Sequence, residues 1–160
     1  MKHIEALRRD FTTSLLQTGR QWRKIVDQAL LASDISEACA APLLWISRLG
    51  EGVRQTTLAS YVGIENPSLV RLLDQLEASG LVVRKEDKLD RRAKTLRLTE
   101  KGEAFAAKLE KMLVALREQV LADVSREDLD AAMRVLAAFD RSSNSQGVEE
   151  PPKSEALPTS

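Results

Sequence analysis

A chain of 160 residues, 43% of them hydrophobic and 30% charged, has the balance of one globular domain or of one domain with extensions. Aromatic residues make up only 4% while Ala, Leu, Glu, Lys and Arg abound, which favours helices over a β-sandwich. Lys+Arg and Asp+Glu both number 24, so a polyanionic partner has to be met by a local patch and not by the net charge. One cysteine, Cys39, excludes an internal disulfide and a Cys-based zinc site, and the one histidine, His3, lies near the N-terminus. The convergent groups of an enzyme and a Gly-rich phosphate loop are missing from the sequence, so no catalysis, metal or cofactor is expected. No apolar run nears the roughly 18 residues of a membrane span. The charged start (Lys2, Glu5, Arg8, Arg9, Asp10) has no signal-peptide core, which makes the cytoplasm the expected location.

Over residues 2–32, Ile4, Leu7, Phe11, Leu15, Trp22, Ile25, Val26, Ala29 and Leu30 recur at helical steps. They predict one long amphipathic helix whose stripe must pack on something. Ser36 reads as the N-cap of a second helix ending near Leu49, with Pro42 expected to remove a hydrogen bond and bend it. Gly50-Glu51-Gly52 reads as a turn. A short third helix is expected from Gln55 to Val62, then a tight turn at Gly63. Asn66 and Pro67 read as the N-cap and first residue of a fourth helix, with Leu69, Leu72, Leu73 and Leu76 as its stripe and Gly80 as its left-handed stop.

The period then changes. Leu81-Val82-Val83-Arg84 and Thr95-Leu96-Arg97-Leu98 read as the strands of a hairpin with a long polar tip over residues 85–94. Thr99 reads as the cap of a fifth helix striped by Phe105, Leu109, Met112, Leu116 and Val120. Ser125-Arg126-Glu127-Asp128 resembles a capping box opening a sixth, through Leu129, Met133, Leu136 and Phe139. Residues 142–160 are Ser-, Pro- and Glu-rich without apolar periodicity and are expected to form a disordered tail.

Leu58, Ala59, Val62, Gly63, Ile64, Leu69 and Leu72 fall where two short helices cross in a helix-turn-helix, with small Ala59 at the crossing and Gly63 in the turn. A hairpin directly after it gives the winged-helix order. Residues 84–101 hold eight Lys and Arg against four Asp and Glu, an excess of four positive charges balanced by an equal negative excess elsewhere. A module that binds duplex DNA needs such a patch to neutralise phosphates. Pro67, Ser68 and Arg71 lie off the apolar stripe. Arg71 has the reach for a bidentate guanine contact, Ser68 suits a phosphate or base edge, and Arg91 suits a minor groove. Asp90 and Arg92 are spaced to pair and stiffen the tip.

Leu58-Ala59, the run from Pro67 to Glu77, Gly80-Leu81-Val82, Asp90-Arg91-Arg92-Ala93-Lys94 and Leu98-Thr99-Glu100-Lys101-Gly102 together resemble the MarR family. With Trp22-Arg23 and Asp27, the likeness is to its SlyA-like branch and covers about residues 15–136. The resemblance implies a mainly α fold with a small β-hairpin. A winged helix-turn-helix lobe (residues 33–99) would join a helical dimerisation region (residues 1–32 and 100–141). It further implies a homodimeric transcriptional regulator that binds double-stranded DNA at a pseudo-palindromic operator.

Carried over, the DNA-contacting set is Arg54, Asn66, Pro67, Ser68, Arg71, Arg91, Arg92 and Lys94, with Asp90 supporting the wing. Arg54 stands where the family usually caps its third helix with Ser or Thr, so a phosphate contact and a frayed turn are both open. The first helix lacks the cysteine of the peroxide-sensing branch. Many relatives release DNA on binding a small aromatic or phenolic anion. Arg20, Trp22, Arg23, Cys39 and Leu43 form the candidate pocket, against a reading of Trp22 as core. Cys39 lies in a first helical turn, where the dipole favours thiolate, against a reading as a small buried side chain. The competing function is a winged-helix protein–protein adapter, which predicts an apolar or acidic recognition helix; Ser68, Arg71 and the basic wing point away from it.

Overall fold

The elements of the computed structural model, which describes residues 2–33, 35–50 and 52–144, are α1 (Lys2–Ala29), α2 (Glu37–Leu49), β1 (Val53–Arg54), α3 (Gln55–Val62), α4 (Asn66–Ala78), β2 (Val82–Glu86), β3 (Lys94–Leu98), α5 (Glu100–Val120) and α6 (Arg126–Asn144). The fold is mainly α with one small antiparallel sheet of order β1-β3-β2. The sequence pointed only to the hairpin. β1 is two residues long, too short to carry a period, and joins through Val53 opposite Leu96 and Arg54 opposite Thr95. Lys85 pairs with Thr95 and Glu86 with Lys94, so the ladder runs further than expected and the tip shortens to residues 87–93. Among the described residues no helix is long and apolar enough to cross a membrane.

Among the described residues, those up to Gln119 form one compact unit, and those from Val120 to Asn144 a second. The first unit is built on leucine. Leu43, Leu58, Leu69, Leu73, Leu76 and Leu96 have no exposed surface, and Val26 and Leu30 from the α1 end and Ala106, Leu109 and Leu113 from α5 complete their cluster. Pro42 is buried inside α2, which continues through it. Towards its start α1 changes character: Ile4, Leu7 and Leu16 are exposed.

Helix ends explain several boundaries. Ser36 is the N-cap of α2, yet its hydroxyl makes no capping bond and instead approaches Cys39 Sγ at 3.8 Å. The free N–H of Glu37 is capped from α1, donating to Asp27 Oδ1 at 2.9 Å. Asn66 is the first helical residue of α4 and not its cap; Glu65 holds the cap position without a side-chain bond. At the far end Gly80 has φ 71°, with Gly80 N–H donating to Glu77 O and Leu81 N–H to Leu76 O, both at 2.9 Å. That is the Schellman closure, with Leu76 and Leu81 both buried beneath it.

Thr99 fastens α5 to this turn. Its hydroxyl donates to Gly80 O at 2.7 Å and accepts from Gly102 N–H at 2.9 Å. A Cβ at Gly102 would lie 2.0 Å from the Leu81 carbonyl oxygen, so the Thr-x-x-Gly spacing is set by backbone contact.

In the second unit, Ser125 Oγ accepts from Asp128 N–H at 3.1 Å and opens α6. The helix reaches Asn144, three residues into the stretch expected as tail; the rest of that expectation, residues 145–160, lies outside the described residues. Leu129, Met133, Leu136 and Phe139 line α6 and are all exposed.

Replacing Gly102 by Ala should destabilise the fold by about 2–3 kcal/mol, because the obstacle is backbone rather than a movable side chain. Urea unfolding of both proteins measures it.

Candidate nucleic-acid interface

α3 and α4 are joined at Gly63, whose φ of 74° lets its N–H donate to Ala59 O at 2.9 Å. Ala59 is almost wholly buried at the crossing, and Leu69, Leu73 and Leu76 anchor one face of α4. With that face committed, Asn66, Pro67, Ser68 and Arg71 are left exposed at the start of the helix. Ser68 and Arg71 are three residues apart and Pro67 and Arg71 four, so they share one solvent-facing patch.

The wing is tied to this helix by a residue counted, from sequence, only as positive charge. Arg84 on β2 donates from Nε to Glu77 Oε2 at 2.9 Å, its Nη2 bonds both Asp74 and Glu77, and its backbone N–H donates to Glu77 Oε1 at 3.2 Å. The Arg84 guanidinium holds the Glu77 carboxyl below its ordinary range, and the Arg84 value rises in return. One of the eight basic groups of residues 84–101 is thus neutralised by α4 and does not add to the exposed field.

The tip is organised by Asp87, a residue that sequence reasoning passed over. Its Oδ1 accepts from Leu89 N–H at 2.8 Å and Asp90 N–H at 3.4 Å, and its Oδ2 from Arg54 Nε at 2.9 Å. The Leu89 amide first, then the Asp90 amide and Arg54, hold its carboxyl below the usual value. An Asp followed two residues later by its donor is a readable Asx-turn signal. The partnership with Arg54, 33 residues away, carries no local signature. Arg54 therefore fastens the wing to the N-cap of α3, a role neither of its two sequence readings contained.

Asp90 Oδ1 accepts from Arg92 N–H at 3.0 Å and lies 3.6 Å from Arg92 Nε. Lys94 is 3.8 Å from Glu86. Arg91 and Arg92 are exposed at the tip.

The five residues named for a ligand pocket differ in exposure. Leu43 and Cys39 have no exposed surface, Trp22 packs half-buried against the core, and Arg20 and Arg23 lie on the exposed side of α1. The Cys39 thiol donates to Gln75 Oε1 at 3.2 Å, and burial pushes its pKa up despite the Ser36 contacts. Desolvation outweighs the helix dipole, which favours the reading of Cys39 as a small buried side chain.

A family model described as MarR family matches residues 33–93. The crystal structure of transcriptional regulator PA3341 shares 36% sequence identity at a TM-score of 0.76, covering 84% of this chain and 98% of that one. The transcriptional repressor CouR, bound to a 23-mer DNA duplex, is 30% identical at 0.71, covering 79% and 89%. A MarR-family transcriptional regulator from Rhodococcus sp. RHA1 is 25% identical at 0.74, covering 83% and 94%.

Asp87 has a depressed folded-state pKa, so its stabilisation is complete above the ordinary carboxylate value, near pH 4, and is lost as pH falls through the lower folded value. Asp87→Ala should reproduce that loss at neutral pH, with amide exchange at Leu89 and Asp90 faster by about tenfold and a small drop in the melting temperature. Cys39 in the folded protein should resist iodoacetamide at pH 7.5 and react at the rate of a free thiol in urea.

Proposed function

The chain belongs to the MarR family, and from that membership we propose that it works as a homodimer on a pseudo-palindromic operator. It is a DNA-binding transcriptional regulator and not an enzyme. The observation that carries the reading is the exposed patch of Ser68 and Arg71 on a helix whose other face is buried, beside a wing tip bearing Arg91. In a two-fold dimer, recognition helices enter major grooves about one helical turn apart. Asn66, Pro67, Ser68 and Arg71 meet the major groove, Arg91 and Arg92 the flanking minor groove, and Lys94 the backbone, while Arg54 and Asp90 hold the wing.

Dimerisation is supported by the large side chains left in water: Ile4, Leu7 and Leu16 on α1, and Met133, Val135 and Leu136 on α6. A self-complementary interface is the common way to bury such surface. The helical regions, residues 1–32 and 100–141, supply that interface in this reading, and the cytoplasm is where the operator is met. Release by a small aromatic or phenolic anion belongs to the same reading. Arg20, Arg23 and Trp22 are the pocket candidates that keep exposed surface, while Cys39 and Leu43 are core.

Selection of duplexes from a random pool, followed by titration at several salt concentrations, tests the proposal. A recovered palindrome and a steep fall of affinity with salt are expected; no binding at low salt would favour an adapter. Arg71→Ala should cost about 1–3 kcal/mol of discrimination at one position of each half-site. Arg91→Ala should weaken all sequences alike and flatten the salt slope by about 1. Met133→Glu should halve the mass measured by light scattering, and an unchanged mass would remove α6 from the interface.

A further inference from the structure

Ser36, Cys39 and Gln75 form a short chain of hydrogen bonds that ends on the surface of α4. Ser36 Oγ, which makes no capping bond, donates to Cys39 Sγ at 3.8 Å, and the Cys39 thiol donates to Gln75 Oε1 at 3.2 Å. The other acceptor near the sulfur, Leu72 O, is 3.9 Å away. Burial holds the thiol pKa up, so the proton that this bond needs is in place at neutral pH. Cys39 has no exposed surface, whereas Gln75 is exposed. A buried donor on α2 thus grips a surface side chain of the recognition helix.

A carboxamide carries its acceptor oxygen and its two donor N–H groups on opposite branches of one plane. With Oε1 held by the thiol, Nε2 is turned away from it, and Nε2 bonds none of the described residues. Ser68, Arg71 and Gln75 follow one another at steps of three and four, so they share one side of α4. The opposite flank is occupied, because Asp74 and Glu77 are bonded to Arg84. Gln75 lies two helical turns beyond Ser68, roughly 10 Å along the axis. A major groove is about 12 Å wide, and the start of a recognition helix is the part that reaches base edges. A donor two turns later meets the strand at the border of the groove. We infer that Gln75 Nε2 donates to a backbone phosphate beside the major groove, and that Cys39 is the positioning residue that turns the amide towards it. This rests on the reading of α4 as the helix that reads DNA, and adds to Arg71 a neutral contact that sets the register of the helix on the duplex.

The test uses the full chain and the duplex recovered from the pool, with binding followed by fluorescence anisotropy at several salt concentrations. Gln75→Ala should weaken all sequences alike, by about tenfold, as expected for one hydrogen bond to a charged acceptor. The salt slope should not change, because a neutral amide displaces no counterion. Cys39→Ala should cost about threefold, since the freed amide samples other rotamers, and nothing further in a protein that already carries Gln75→Ala. Cys39→Ser, which keeps a donor, should restore binding. Methylphosphonate placed at each phosphate in turn should reveal one position per half-site where the wild type loses affinity and Gln75→Ala loses no more. Wild-type affinity in Gln75→Ala, a changed base preference, or full additivity at every phosphate overturns the contact. If Arg71→Ala still relaxes discrimination in that case, the reading of α4 survives. A wild-type protein that binds no duplex at low salt overturns both.

Discussion

Helix α4 buries Leu69, Leu73 and Leu76 completely, and that burial governs the rest of the DNA-binding lobe. Three leucines at steps of three and four residues leave the helix one rotational setting about its axis. Ser68 and Arg71 then have no alternative to solvent. Each fully buried leucine contributes roughly 1.5–3 kcal/mol relative to exposure, far more than any single polar contact on the opposite face, so the presented surface follows from packing. A contact chosen for its chemistry is held in place by one chosen for its apolarity.

The wing inherits its position from the same helix. Arg84 joins β2 to Asp74 and Glu77, and Arg54 joins the N-cap of α3 to Asp87 at the hairpin tip. Such pairs contribute little to global stability where they meet water. Their use here is geometric: two arginines at opposite ends of the hairpin fix it against α4 and α3. At the root, Thr99 and Gly102 close on the Gly80–Leu81 turn with no room for a side chain. Basic residues in this segment thus divide into those that hold the wing and those that it presents.

Much of the fold was legible along the chain. α3, the αL turn at Gly63, the stripe of α4, the stop at Gly80 and the hairpin all follow from periods and turn residues that neighbours in sequence dictate. Errors fell where a neighbour in space decided. β1 exists because Val53 and Arg54 find an edge on β3, and two residues have no period to announce it. Ser36 holds the cap position of α2 as expected, but the side-chain bond comes from Asp27, because the end of α1 delivers a carboxylate to the first N–H. Of the two readings of Cys39, burial, which raises its pKa, favours the small buried side chain over the thiolate that its helix dipole suggests.

Of the interface, the sequence by itself determined which side chains share a surface: Pro67, Ser68 and Arg71 lie off the apolar stripe by helical spacing alone. Tertiary structure decided which charges remain to be used. Arg84 and Arg54 look no different from Arg71 and Arg91 in the sequence, yet the first two meet carboxylates carried by other elements and the second two stand exposed on the surface. Hydrophobic periodicity is a property of adjacent residues and survives in one dimension. Charge neutralisation falls off over a few ångströms of space, and only the folded chain says which carboxylate comes that close.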